Sequence, residues 1–344
     1  MFGMGIHIAR FKAGGEVRWG WVRAGQVVPI PGKYVSLAEF LESGQERAWA
    51  MSTGGGGKGQ PLSEVEVLSP VTSPCNVVCQ GQNYRSHMLE VGQDPDTKDF
   101  NQFFRKASSS LTSSRGDIVR PQRVRMLDYE IELGLVIGRG LHQPMQVTRE
   151  RLHEVVAGLV MANDVSARDL QLLEGQWHKA KSFRTFCPVG PFLYLLSPED
   201  RGRLMDLRLS LSVNGELRQS ASTAEMIYPP EETLSELSEV MDLYPGDLVL
   251  TGTPSGVAAG RTVSRLARSV GSFMRLFLSD RTLAKLILKS SNPAAYLKEG
   301  DVIRASITSP DGVIHLGMQE NRIVAQEAMA VVEDTAPAIR VGGI

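Results

Sequence analysis

Two glutamates one residue apart stand inside a run that otherwise calls for burial: Leu127-Asp128-Tyr129-Glu130-Ile131-Glu132-Leu133, continuing as Gly134-Leu135-Val136-Ile137-Gly138. The run is apolar and strand-like, and side chains in a strand alternate faces, so residues two apart point the same way. Glu130 and Glu132 therefore share one face, and Tyr129, Ile131 and Leu133 share the other. Two carboxylates on one face of an apolar strand repel each other and resist burial unless a cation sits between them. All-oxygen ligation suits a hard divalent ion: Mg2+, Mn2+ or Ca2+. The competing reading is a solvent-facing strand edge that carries two surface charges.

A third carboxylate weighs against that alternative. The apolar segment Val155–Ala162 reads as a buried strand and runs into Asn163-Asp164-Val165-Ser166-Ala167-Arg168-Asp169-Leu170-Gln171. Asp164 stands at the strand exit, where scaffolds present functional side chains; a helix N-cap is the plainer role for such a residue. Asp169 beside Arg168 reads as a structural ion pair. Three carboxylates and a divalent cation leave a charge of about −1, which water or a nearby lysine can balance. Lys181, in Lys179-Ala180-Lys181-Ser182-Phe183, is a candidate for that lysine, against the alternative of a solvated surface side chain.

Composition excludes several classes. The chain has 344 residues, 42% hydrophobic and 22% charged, within the range of ordinary globular proteins. A net charge of −1 gives no electrostatic case for nucleic acid. No apolar stretch approaches the ~20 residues that span a bilayer. Met1–Ile8 lacks a basic segment followed by a long apolar core, so no signal peptide is expected. Three cysteines, Cys75, Cys79 and Cys187, are too few for a disulfide framework and fit no common zinc spacing; a reducing cytoplasm is the expected setting.

The first 50 or so residues alternate strand-like runs (Ile6–Phe11, Val17–Val22, Gln26–Ile30) with turns, and a short helix is expected near Leu37–Ala48. The glycine run Gly54–Gly57 reads as a flexible connection. A phosphate-binding loop fails there, because Ser52 stands where the first glycine is required and Gly59 follows Lys58. Further on, Val77–Gly81 gives way to a predicted helix bearing His87 and Glu90, three apart and so on one face. A carboxylate beside an imidazole fixes its tautomer and raises its basicity, as a general base requires; an exposed surface pair is the alternative. The polar stretch Gln93–Ser114 reads as either a cover over a site or a long surface loop. Asp247–Leu250 reads as a strand entering a tight turn, where Gly252 allows close backbone approach and Thr253 offers a hydroxyl.

Together these strings resemble the fumarylacetoacetate hydrolase superfamily, in its acylpyruvase and 2-hydroxyhepta-2,4-diene-1,7-dioate isomerase-like branch. The resemblance is carried by Gly81-Gln82-Asn83-Tyr84-Arg85-Ser86-His87, by Asp128–Leu133, by Asn163–Gln171 and by Lys181-Ser182-Phe183. Pro245-Gly246-Asp247 with Thr251–Gly256, and Leu297–Val302, complete it, in the family's order over roughly residues 70–326. It implies an α+β, mainly β fold, a mixed β-sandwich roll with a small N-terminal β-rich domain (1–65). The catalytic domain would span 66–327; beyond the family pattern, this chain adds a helical insertion at about 259–292 and a tail, 328–344. It implies Glu130, Glu132 and Asp164 as ligands of Mg2+, or of Mn2+ or Ca2+. Lys181, Gln171, Thr253 and Tyr84 would contact substrate or support the metal, and His87 with Glu90 would activate water on a lid helix. The implied reaction is C–C bond hydrolysis of a small anionic 2,4-dioxo acid through a metal-held enolate, in a homodimer. Oxaloacetate-type decarboxylation and dienoate isomerisation use the same residues, and a non-catalytic keto-acid binder is the distant alternative.

One departure from the family pattern stands out. About 40 residues separate the Thr251–Gly256 turn from Leu297, and from Arg261 to Lys289 they carry seven Arg and Lys against the single acid Asp280. Apolar residues recur there at helical spacing, so one or two amphipathic helices are expected. They would pack on the body or a dimer partner, form a basic rim that attracts anionic substrate, or dock on an anionic membrane.

Overall fold

The computed structural model describes residues 4–262, 282 and 292–327. The helices expected beyond Thr262 and the tail from Ala328 lie outside the described residues, apart from Thr282. The fold is mainly β: among the described residues, a 13-stranded mixed sheet faces a five-stranded sheet across the core, with short helices at the edges. The long sheet runs in the order Gln60–Pro61, Gln26–Pro29, Glu16–Arg23, Ile6–Ala13, Leu193–Leu195, Val156–Asn163, Ile131–Ile137, Leu248–Leu250, Val77–Gly81 and Gln102–Lys106. The smaller sheet comprises Glu216–Ser222, Arg208–Val213, Val302–Thr308, His315–Ala325 and Ile118–Arg120.

The strand Ile131–Ile137 sits mid-sheet and every residue of it is buried. Its alternation divides two cores. Ile131, Leu133, Leu135 and Ile137 enter the large cluster with Leu209, Ile307 and Ile323 of the facing sheet. Val136, on the opposite face, packs with Val160, Leu248 and the N-terminal Leu37 and Phe40. Gly134 shares that second face, where a Cβ would stand 2.7 Å from Val160 and 2.9 Å from Leu248, so a larger residue would have to push those side chains aside. Each large apolar side chain buried this way contributes roughly 1.5–3 kcal/mol. This stacking holds the strand's end, and the carboxylates there, in place.

The N-terminal strands continue the long sheet directly, through the antiparallel pairs Ile6↔Leu195 and Ile8↔Leu193. The helix expected near Leu37–Ala48 runs in three connected pieces from Leu37 to Gly54. Gly55 (φ +65°) ends the helix in the left-handed conformation, as glycine does at helix C-termini, and Gly57 packs so closely on Val28 that a Cβ would stand 2.5 Å from it. The stretch Gln93–Ser114 is neither a cover nor a plain surface loop. Gln102–Lys106 pairs antiparallel with Val77–Gly81, and Leu111–Ser113 pairs parallel with Cys187–Val189. Its aromatic-rich alternation, Gln102-Phe103-Phe104-Arg105-Lys106, is that of a strand. No helix among the described residues is long and apolar enough to cross a membrane.

Candidate metal centre and catalytic dyad

Antiparallel pairing brings the three acids together. Ile131 lies opposite Asn163 and Glu132 opposite Ala162, so Glu130, just before one strand, and Asp164, just after its partner, meet at the same sheet end. The Asp164 N–H donates to the Glu130 carbonyl at 2.8 Å. One carboxylate oxygen from each of Glu130, Glu132 and Asp164 lies within 4.8 Å of the others, and all three residues are buried.

Cations ring this trio unevenly. Lys181 Nζ donates to Glu130 Oε2 at 2.9 Å and to Asp164 Oδ2 at 2.5 Å. Arg168 pairs with Glu130 and with Asp128, the latter at 2.8 Å. Lys106, fully buried, pairs with the second Asp164 oxygen and donates to the Phe186 carbonyl at 3.0 Å. Burial pushes the Glu130 carboxyl up, but Arg168, Lys181 and His87 outweigh it and hold it at about 2. Burial lowers the Lys181 ammonium, and Asp164 and Glu130 outweigh that and raise it. Glu132 differs. Among the described residues it accepts one hydrogen bond, from the Gly252 N–H at 2.8 Å. Burial, then Asp164 and Glu130, push its carboxyl well above the usual range, and the more distant Lys181 does not compensate. The Tyr84 hydroxyl, fully buried and near enough to Glu132 for that charge to raise it after burial does, has no hydrogen-bond partner among the described residues. Three hard oxygens, one lacking a counter-charge, beside an unsatisfied hydroxyl fit a hard divalent cation.

The dyad rides on the short helix Arg85–Glu90, beyond the end of Val77–Gly81. His87 Nδ1 lies 3.2 Å from Glu90 Oε2. The other Glu90 oxygen accepts from the Gly256 N–H at 3.0 Å, tying the dyad to the turn that follows Leu248–Leu250. Gly260 leaves the room Glu90 occupies: a Cβ there would lie 2.0 Å from its carboxyl carbon. The imidazole is close enough to the acids for Glu130 to feel its charge.

The remaining candidates are placed less directly. Gln171 Oε1 accepts from Arg168 at 2.8 Å, so it braces the arginine that braces Glu130. The Thr253 hydroxyl donates to the Ile131 carbonyl at 3.0 Å and accepts from Gln219 Nε2 at 2.9 Å, both engagements holding the acid-bearing strand. The expected Arg168–Asp169 pair does not form. Adjacent residues on a helix do not face each other, and Asp169 instead accepts from the Arg125 N–H at 2.8 Å. Sequence reasoning did not single out Lys106 or the pairing of Arg168 with Asp128. Lys106 has a readable signal, its place at the end of the strand-like run from Gln102; the Asp128–Arg168 pair, 40 positions apart, has none.

The family profile described as fumarylacetoacetate (FAA) hydrolase C-terminal matches residues 76–324, and one described as Rv2993c-like, N-terminal, matches residues 6–70. The chain is 39% identical over 212 residues to oxaloacetate tautomerase YisK of Bacillus subtilis, covering 60% of this chain and 68% of that protein. It is 38% identical over 235 residues to the mitochondrial oxaloacetate tautomerase FAHD2B of Bos taurus, covering 66% and 71%. Among solved structures, a fumarylacetoacetate hydrolase from Exiguobacterium antarcticum superposes with a TM-score of 0.68 at 31% identity, covering 93% of this chain and 100% of that one.

Proposed function

We propose that this chain, which belongs to the fumarylacetoacetate hydrolase family, is a divalent-metal-dependent enzyme that moves a proton on small 2-oxo dicarboxylates of the oxaloacetate type. The carrying observation is the His87–Glu90 pair, at 3.2 Å, set beside a buried trio of carboxylates. The named activity of the 38–39% identical relatives supports the substrate class. A Mg2+ or Mn2+ ion at Glu130, Glu132 and Asp164 would supply Lewis-acid polarisation of the substrate's carboxylate and keto oxygens. Glu90 holds His87 through Nδ1, so Nε2 is the nitrogen that faces substrate. That nitrogen takes the proton from the carbon beside the keto group, the C–H electron pair becomes the enol double bond, and the keto oxygen gains a proton. Reversal returns the keto form. Lys181 and Arg168 keep Glu130 ionised throughout, and Tyr84 offers its hydroxyl to a substrate or metal-shell oxygen.

A second reading is C–C hydrolysis of a 2,4-dioxo acid, in which the same dyad deprotonates water. It is supported by the 31% identity to a fumarylacetoacetate hydrolase over nearly the whole chain. Division into residues 1–65 and 66–327, Gln171 and Thr253 as supports of the site, and a homodimer in a reducing compartment belong to the same proposal. The test is an ultraviolet assay of enol-to-keto conversion of oxaloacetate with Mg2+ and with Mn2+, beside acetylpyruvate cleavage and pyruvate release. Chelator-sensitive enol–keto exchange is expected. Acetylpyruvate cleavage alone would favour hydrolysis, and turnover of neither with metal bound would refute the enzyme reading.

A further inference from the structure

We infer that Lys98 is a positioning residue for the His87–Glu90 dyad, its ammonium gripping the turn that aims the dyad helix. That helix, Arg85–Glu90, has six residues and no side-chain cap at Tyr84. A helix so short does not hold itself in water, so its direction is set by the turn before it and by what its side chains touch. The turn Gly81-Gln82-Asn83 passes through Gln82 at φ +54°, a left-handed conformation that a side-chain-bearing residue avoids unless its surroundings enforce it.

The enforcing group is visible. Lys98 Nζ donates to the Gly81 carbonyl at 2.9 Å and to the Gln82 carbonyl at 2.8 Å. The same ammonium lies 5.3 Å from the centre of the Tyr228 ring, and the Tyr228 hydroxyl donates back to the Lys98 carbonyl at 3.2 Å. Hydrogen bonds from a charged donor are about twice as strong as neutral ones, and the ring face retains the cation between them. From the other side Asn83, fully buried, donates to the carbonyls of Tyr228 (3.0 Å) and Thr251 (2.9 Å) and accepts from the Tyr228 N–H (2.8 Å). Tyr228 thus backs both grips. Thr251 begins the turn whose Gly252 N–H binds Glu132 and whose Gly256 N–H binds Glu90. The 94–98 loop also reaches the helix through Arg85–Asp96, and an exposed pair of that kind contributes little. Among the described residues Lys98 makes no hydrogen bond or ion pair to Glu130, Glu132 or Asp164, and its ammonium reaches the dyad through the turn it grips.

The functional half of this inference rests on the proposed role of His87 and Glu90; the structural half does not. The test compares Lys98→Met and Lys98→Arg with the full-length parent. It reads amide hydrogen exchange by mass spectrometry, Mg2+ affinity by calorimetry, and kcat and KM for oxaloacetate. In Lys98→Met, exchange over residues 82–91 should rise about tenfold or more while the strands Ile131–Ile137 and Val156–Asn163 keep their protection. The kcat should fall ~10- to 100-fold, the scale of a misplaced catalytic group, with Mg2+ affinity within about twofold. Lys98→Arg, which keeps a charged donor, should recover a large part of both. Unchanged exchange over 82–91 in Lys98→Met would overturn the inference, as would loosening spread evenly over the molecule. His87→Ala at full activity would instead remove the dyad from the mechanism while leaving the exchange result to decide the grip.

Discussion

The acid centre and the dyad helix face one another but are built on opposite principles. Glu130, Glu132 and Asp164 stand at the ends of two paired mid-sheet strands, buried and braced by Lys106, Lys181 and Arg168. His87 and Glu90 stand on six residues of helix, reached by a strained turn and held by side chains from other segments. The first arrangement suits a fixed electrostatic centre, where displacing one carboxylate leaves charges buried and unmatched. The second suits proton transfer, which needs a base close to substrate and tolerates the motion that admits it.

The largest effect should come from breaking the stiff side. Glu132→Gln removes the carboxylate that lacks its own counter-ion, and should lower Mg2+ affinity and turnover by about 10³-fold or more, equivalent to several kcal/mol. Calorimetry and the enol–keto assay check it, with chelation of the parent enzyme giving the same loss. Next, His87→Ala should cost about 10²-fold in kcat, the usual scale of a general base, yet leave Mg2+ affinity nearly unchanged. A matching loss of metal would mean the two regions are one unit and would break the contrast. Lys106→Met should weaken Mg2+ binding ~10- to 100-fold, as loss of support behind a ligand does. It should also lower stability by roughly 3 kcal/mol in urea, because the mutation strands one side of a buried ion pair.

The smallest effect lies outside both regions and tests whether acid acts elsewhere first. His7 stacks on His315 with ring centres 3.9 Å apart, where an N-terminal strand meets the smaller sheet. Burial, and then His315, push His7 down from 6.5 to about 4. The folded ring therefore stays neutral while the unfolded chain takes up a proton. Its contribution is complete above about pH 6.5 and is lost as pH falls towards 4. About 1–3 kcal/mol should disappear across that window, and His7→Phe should flatten the corresponding slope of Tm against pH.

Much of this was legible in the chain. The alternation of Tyr129–Leu133 put two acids on one face, the apolar run before Asp164 supplied the third, and the three-residue spacing of His87 and Glu90 paired them. The family resemblance joined these pieces into one expected site. What went unread has one cause. The Lys106–Asp164 and Arg168–Asp128 pairs join segments 40 or more positions apart, and although the run from Gln102 marks a strand ending at Lys106, nothing along the chain names the partner of either cation. Asp169 shows the converse: adjacency made it look like a partner, and helical geometry turned it away.

Residue type, order and periodicity alone determined which side chains were able to take part and which face of its own strand or turn each occupies, because backbone geometry sets those locally. Tertiary structure decided who neutralises whom: that Glu130 and Asp164 would be matched by three buried cations, that Glu132 would be left with a single backbone donor among the described residues, and that a lysine from the loop after the dyad helix would hold the turn before His87. The reason is physical. Coulombic and hydrogen-bonding energies depend on separation and burial, and those exist only once the strands have paired.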